Sequence, residues 1–205
     1  MGTRRHWEQI YSSETSQEVS WFCPHLERSL ALIESTGSDR DATIIDVGGG
    51  ASTLIDDLLD RGYRKVTVLD ISQQALEMAK KHLGERSSQV QWICAEVTRA
   101  PLPAQGYDVW HDRAVFHFLI QPQQRRDYVR SLTSALKDGG HVIVSTFGPE
   151  GPTRCSGLDV LRYDAESLRA EFGQSFRLVE SSTELHQTPF GTTQQFLYCH
   201  FILES

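Results

Sequence analysis

The chain has 205 residues, room for one domain at roughly 150 residues each and at most a small appendage. Hydrophobic residues make up 39% and charged residues 23%, a globular balance with no apolar run near the roughly 18 residues that a membrane-spanning helix needs. The 20 Lys and Arg against 27 Asp and Glu leave a formal net charge of −7, which argues against a nucleic-acid partner held by bulk charge.

The N-terminal Met-Gly-Thr-Arg-Arg-His-Trp-Glu lacks the apolar segment of a secretory signal. The scattered Cys23, Cys94, Cys155 and Cys199 form no CxxC pair, so a reduced, cytoplasmic setting without structural zinc is expected. Trp7 and Tyr11 lie four apart, as do Leu26 and Leu30 with Ile33 three further on, which predicts helices over 1–40. Short apolar runs follow at 43–47, 65–69, 90–94, 107–110, 141–146, 176–179 and 195–202. Helical spacing separates the early ones. Leu54, Leu58 and Leu59 mark one helix, and Ala75, Leu76, Ala79 and Leu83 the next. Tyr128, Val129, Leu132 and Leu136 mark a later one, stopped by Lys137-Asp138-Gly139-Gly140. Alternating strand and helix means parallel strands joined by crossovers. The segment Glu184-Leu185-His186-Gln187-Thr188-Pro189-Phe190-Gly191 reads as loop and turn, so the final strand is expected to return antiparallel. The whole chain reads as one domain: a helical cap over 1–40, a cofactor-binding core over 41–147, and an acceptor-side loop with a C-terminal hairpin over 148–205.

The first strand runs into Asp46-Val47-Gly48-Gly49-Gly50-Ala51-Ser52-Thr53. Glycines here admit a ligand close to the backbone, and Thr53 with Asp56 resembles a capping box. Twenty residues beyond Gly50 stands Asp70, at the end of Val66-Thr67-Val68-Leu69, where a carboxylate can accept from both ribose hydroxyls of a nucleoside. A dinucleotide fingerprint would need its third glycine where Thr53 stands. Asp46 at the mouth of the turn would repel a pyrophosphate and suit an ammonium. S-adenosylmethionine fits both acids better than NAD does.

The order Asp46-Val-Gly-Gly-Gly-Ala-Ser, Leu69-Asp70-Ile-Ser, Ala95-Glu96-Val-Thr, Tyr107-Asp108-Val-Trp and Leu136-Lys-Asp-Gly-Gly-His-Val resembles the class I S-adenosylmethionine-dependent methyltransferases over about 40–147. The openings His6-Trp7-Glu8…Tyr11 and Val19-Ser20-Trp21-Phe22 look like small members of that superfamily. The resemblance implies an α/β, Rossmann-like, doubly wound sheet of seven strands, mostly parallel with the last antiparallel. It implies S-adenosylmethionine over the strand ends, leaving S-adenosylhomocysteine as product. Asp46, Gly48, Gly49 and Gly50 would lie against the methionine part, Asp70 and Ile71 at the ribose and adenine edge, and Glu96 and Val97 at the adenine amino group. Positions His111 to Ala114 would stand beside the reactive methyl, and Trp7 and Tyr11 would cover the cofactor as a lid. Ser52 replaces the third glycine common in the family, and Glu96 the commoner aspartate.

His111, Asp112 and Arg113 follow the fourth strand and are the catalytic candidates, while His117 reads as packing. Arg154, Cys155, Arg162 and Tyr163 in the Gly/Pro-rich loop over 148–163, with His186, are the acceptor-binding candidates. Methyl transfer from a sulfonium is an in-line displacement needing orientation and a dry site rather than a metal. An acceptor amine or hydroxyl would need a base, for which His111, Asp112, Tyr11 or His186 are available. A small-molecule acceptor is expected, with no membrane partner. A protein-lysine methyltransferase is the alternative, marked by an acidic groove near 110–120 and 150–163. A non-enzymatic S-adenosylmethionine-binding partner protein is the second.

Overall fold

The computed structural model describes residues 2–13, 20 and 22–204; Val19 and Trp21 of the N-terminal resemblance lie outside the described residues. The helices are α1 (Arg4–Ser13), α2 (Glu27–Ser35), α3 (Leu54–Asp60), α4 (Gln73–Leu83), α5 (Pro122–Ala135) and α6 (Ala165–Phe172). The strands are β1 (Thr43–Val47), β2 (Lys65–Asp70), β3 (Val90–Cys94), β4 (Tyr107–Arg113), β5 (Leu136–Phe147), a short pair β6 (Arg154–Cys155) and β7 (Leu158–Asp159), then β8 (Phe176–Gln187) and β9 (Thr193–Leu203).

Seven strands form one sheet in the order β3-β2-β1-β4-β5-β9-β8. Pairing is parallel from β3 to β5, and β9 runs antiparallel to both neighbours. The α/β doubly wound architecture with its last strand reversed is therefore as the sequence implies. Consecutive β1 residues serve opposite faces. Ile44 joins a core with Leu30, Ile33, Leu54, Leu58 and Leu76 under α2, α3 and α4. Ile45 joins the other, with Trp110, Tyr128, Leu132, Phe172 and Phe201 under α5 and α6. Burial on both faces is what a central parallel strand requires. Among the described residues, no helix is long and apolar enough to cross a membrane.

The structure departs from the expected elements in four places. Strand β4 continues through His111, Asp112 and Arg113, because β5 offers Ile143, Val144 and Ser145 as partners. Helix α5 stops at Ala135, and Leu136 already pairs with Tyr107. Lys137–Gly140 is then absorbed as an irregularity in β5, with Gly139 at φ 73°. Strand β8 runs on to Gln187, so Glu184, Leu185 and His186 are strand residues. Only 188–192 turns, closed by the Thr188 N–H to Thr192 carbonyl bond of 2.8 Å. Polar residues dominate this sheet-edge strand, which hid its period. Helix α6 carries Asp164 as N-cap, whose side chain accepts from the Ser167 N–H.

Candidate active site

The strand order reverses direction between β1 and β4, the place where open α/β sheets bind ligands. A cavity of about 1110 Å³, its open mouth included, lies at the C-terminal ends of these strands. The turn after β1 forms its floor. Gly48 adopts φ +72°, and a side chain there would strike Val115. A methyl group on Gly49 would collide with Asp46 Oδ2, and one on Gly50 with Ala75 and the Asp70 carboxylate. Gly49 and Gly50 thus let two carboxylates close on one turn. The expected capping box is corrected: Thr53 makes no side-chain cap bond and instead donates to the Cys23 carbonyl at 2.8 Å. Ser52 takes that task, its Oγ accepting from the Leu54 N–H at 3.1 Å.

Asp70 is buried at the tip of β2, where Oδ1 accepts from the Ser72 N–H at 2.8 Å and Oδ2 from the Gly50 N–H at 3.0 Å. Burial pushes its pKa up to about 6 against those two bonds, with the charges of Asp46 and Glu8 adding to the rise. Asp46 is only 2% exposed. Its Oδ1 lies 2.7 Å from His111 Nδ1, and its Oδ2 is buried with no hydrogen-bond partner among the described residues. An orphaned carboxylate oxygen and a second buried acid, both on a glycine floor, fit a ligand bearing an ammonium and ribose hydroxyls. Ile71, Glu96 and Val97 line the same cavity; Glu96 Oε1 accepts from Thr98 Oγ1 at 2.8 Å.

Helix α1 brings Trp7 and Tyr11, both mostly buried, onto the cavity wall. Trp7 meets Phe118 edge-on, with ring centroids 5.1 Å apart. The helix is anchored by Glu8, a residue the sequence reading missed. Its carboxylate accepts from Ser72 Oγ at 3.0 Å and from the N–H groups of Gln73 at 2.8 Å and Gln74 at 3.1 Å. These donors open α4, so the charge also meets the positive end of a helix dipole. Burial opposes ionisation of Glu8, but the N–H bonds from Gln74 and Gln73 outweigh it and hold the pKa below the usual value.

Two of the catalytic assignments need correction. Asp112 faces away from the cavity and is fully buried. It accepts from Val115 N–H at 2.8 Å, Phe116 N–H at 3.1 Å and Tyr128 Oη at 2.6 Å, and Trp110 Nε1 donates to Tyr128 Oη at 2.9 Å. Burial pushes Asp112 up to about 6 against these bonds. This is a structural network. His111 lines the cavity, but both ring nitrogens are engaged, Nδ1 with Asp46 and Nε2 with Ser29 Oγ at 2.9 Å, so it is not placed as a general base. Arg113 does reach the cavity. Its Nε donates to Tyr198 Oη at 3.1 Å, and its guanidinium sits 4.6 Å from the Phe196 ring centroid. His117 is packing, as expected: its Nδ1 accepts from the Phe147 N–H at 3.2 Å, and burial pushes it down to about 3.

Of the acceptor candidates, Cys155 lines the cavity, its thiol pushed up by burial. The other four are corrected. Arg154 is exposed, pairing with Asp159 at 3.2 Å and donating to the Gly157 carbonyl at 2.7 Å. Arg162 Nη1 ties the loop to itself through the Pro149 carbonyl at 2.7 Å. Tyr163 is buried in the core under α6, and burial raises its hydroxyl. His186 Nε2 sits 3.0 Å from the Ser20 carbonyl oxygen, holding β8 to the N-terminal segment. The aromatic wall that does enclose this end, Phe118, Phe147 and Phe196, carried no signal beyond strand-like hydrophobicity.

A family model described as a methyltransferase domain matches residues 44–140. The chain is 23% identical to the EEF1A lysine methyltransferase 2 of Homo sapiens over 194 residues, covering 88% of this chain and 76% of that one. It is 33% identical to the malonyl-[acyl-carrier protein] O-methyltransferase of Halalkalibacterium halodurans over 117 residues, covering 55% of this chain and 41% of that one. Among solved structures, one described for the conversion of a disulfide bond into a thioacetal group during echinomycin biosynthesis shares the fold. Its TM-score is 0.82 at 15% identity, covering 98% of this chain and 93% of that one. The 1,6-didemethyltoxoflavin-N1-methyltransferase of Burkholderia thailandensis, solved with S-adenosylhomocysteine, matches with TM-score 0.67 at 17% identity, covering 98% of this chain and 84% of that one.

Proposed function

We propose that the chain is a class I S-adenosylmethionine-dependent methyltransferase, a reading supported by the methyltransferase-domain match over 44–140, and that it methylates a small molecule in the aromatic end of the cavity. The observation that carries this choice is charge. A lysine side chain presented by a protein calls for an acidic groove beside the site. Segments 110–120 and 150–163 instead hold Asp112, Glu150 and Asp159 against Arg113, Arg154 and Arg162, with Asp112 buried and Asp159 paired with Arg154. The likeness to EEF1A lysine methyltransferase 2 keeps a protein acceptor as the second reading.

S-adenosylmethionine supplies an electrophilic methyl group on a sulfonium when bound. Asp46 and Asp70 hold its ammonium and ribose hydroxyls, and Ile71, Glu96 and Val97 border its adenine. Trp7 and Tyr11 cover the cavity and exclude water, which favours a displacement in which charge disappears. Arg113 places positive charge at the acceptor end, where its field already favours the thiolate of Cys155 against the effect of burial. That field favours an acceptor which arrives as an anion or readily loses a proton, such as a thiol, phenol or carboxylic acid.

The test is transfer of tritium from labelled S-adenosylmethionine to a fractionated extract, separated afterwards into small-molecule, protein and nucleic-acid pools. Label in the small-molecule pool supports the proposal. Label in protein replaces it with the lysine reading, and cofactor binding without label in any pool favours a non-enzymatic partner.

A further inference from the structure

We propose that His111 and Ser29 are positioning residues which aim Asp46 at the ammonium of the methyl donor. The inference rests on the cofactor reading above and adds a role for Ser29, a residue of α2 outside the glycine turn and the strand tips.

Asp46 and His111 are register partners on β1 and β4, so their side chains leave the same face of the sheet side by side. His111 Nδ1 lies 2.7 Å from Asp46 Oδ1, and His111 Nε2 lies 2.9 Å from Ser29 Oγ. All three residues are buried, Ser29 completely. A carboxylate oxygen only accepts, so Nδ1 carries the hydrogen. With a single ring hydrogen, Nε2 is the acceptor and the Ser29 hydroxyl its donor. Ser29 thereby fixes the tautomer and tilt of the imidazole, and the imidazole fixes the carboxylate.

The consequence lies at the other oxygen. Oδ2 is buried without a partner among the described residues, in space left by the missing side chain of Gly49. A buried carboxylate oxygen held unpaired is unfavourable until a donor arrives. With Oδ1 already committed to His111, Oδ2 is the oxygen left for the ammonium. Without the relay, Asp46 would be free to rotate and spend both oxygens on water. The chain Ser29–His111–Asp46 has the connectivity of a hydrolytic triad, but its serine lies at the buried end, away from the cavity wall, so it can orient and not attack.

The test compares two probes by calorimetry, S-adenosylhomocysteine and 5′-methylthioadenosine, which shares the nucleoside but lacks the amino-acid end. Ser29→Ala and His111→Leu are expected to weaken S-adenosylhomocysteine by roughly threefold and tenfold, leaving 5′-methylthioadenosine within about twofold. His111→Asn, which retains an N–H for Asp46, is expected to recover part of the loss. A purely packing role would weaken both probes together, and that result, or no change for either, overturns the proposal. If His111→Leu melts before it can be titrated, Ser29→Ala carries the comparison, since it deletes one oxygen and adds no volume. A wild-type chain that binds neither probe contradicts the cofactor reading itself, a result distinct from the loss of selectivity.

Discussion

Asp70 and Asp112 have similar burial and similarly raised pKa values, about 6 each, yet different work. Asp112 has three donors and no cavity, so its network belongs to stability. Tyr128→Phe removes one of those donors and the acceptor of Trp110, and is expected to cost about 1–3 kcal/mol of unfolding free energy in a denaturant melt. Asp70 faces the cavity. Burial keeps its proton on up to about pH 6 in the folded chain, against the ordinary aspartate value of 3.8. The native state thus binds more protons across that window, and Asp70's contribution to stability falls as pH rises through it. Ribose hydroxyls donate to the ionised form, so affinity for S-adenosylhomocysteine should rise with pH up to about 6 and level off above. Asp70→Asn should flatten that profile and weaken binding by roughly 1.5–3 kcal/mol at pH 7.5, read by calorimetry across pH 5 to 8. Asp46 and Asp70 were legible in the sequence because charged residues at the ends of apolar strands have few packing reasons to be there. Ser29 and Glu8 were not, because their partners lie 82 and 64 residues away and no local spacing records such a bond.

At the scale of elements, α1 matters most. Its packing through Trp7 and Tyr11 was readable from their four-residue spacing, but its attachment through Glu8 was not. Glu8 meets Ser72 Oγ, while the Ser72 N–H meets Asp70, so the anchor of α1 and the acid proposed to hold the ribose share one residue. Glu8→Ala is expected to lower S-adenosylhomocysteine affinity roughly fivefold, about 1 kcal/mol for a carboxylate at a helix N-terminus. It should also raise hydrogen exchange across 4–13 while leaving β1 and β4 protected; unchanged exchange there would show that Glu8 does not anchor the helix. The misreadings at this scale share one cause, tertiary pairing overriding local pattern. Strand β8 continues through His186 because β9 pairs with it as far as Gln187, although its polar run reads as loop. In α6 the signals are present, Asp164 three before Ser167 and Leu168 four before Phe172, but the helix is short and follows a Gly/Pro-rich loop that masks its start.

Across the whole molecule, the alternation of strands and helices, the glycine turn and the distant acid were enough to point to the cavity at the reversal of strand order. What they could not give is the acceptor end, because its walls come from α1, β4 and the turn after it, β5 and β9 together and are made of ordinary core residues such as Phe118, Phe147 and Phe196. Arg113 is the exception, the one lysine or arginine among the described residues that line the cavity. Arg113→Gln is expected to raise KM for the labelled small-molecule acceptor by roughly tenfold or more, the loss of a charge-assisted contact, while leaving S-adenosylhomocysteine affinity within about twofold. Equal losses for both ligands would place Arg113 on the cofactor instead.

The most direct measurement is calorimetric titration of the purified chain with S-adenosylhomocysteine and, separately, with NAD. The expected result is saturable binding of S-adenosylhomocysteine at one site, weakened in both Asp46→Asn and Asp70→Asn, with no heat from NAD. Binding of NAD with none of S-adenosylhomocysteine would contradict it, for the two acids would then be holding a dinucleotide instead.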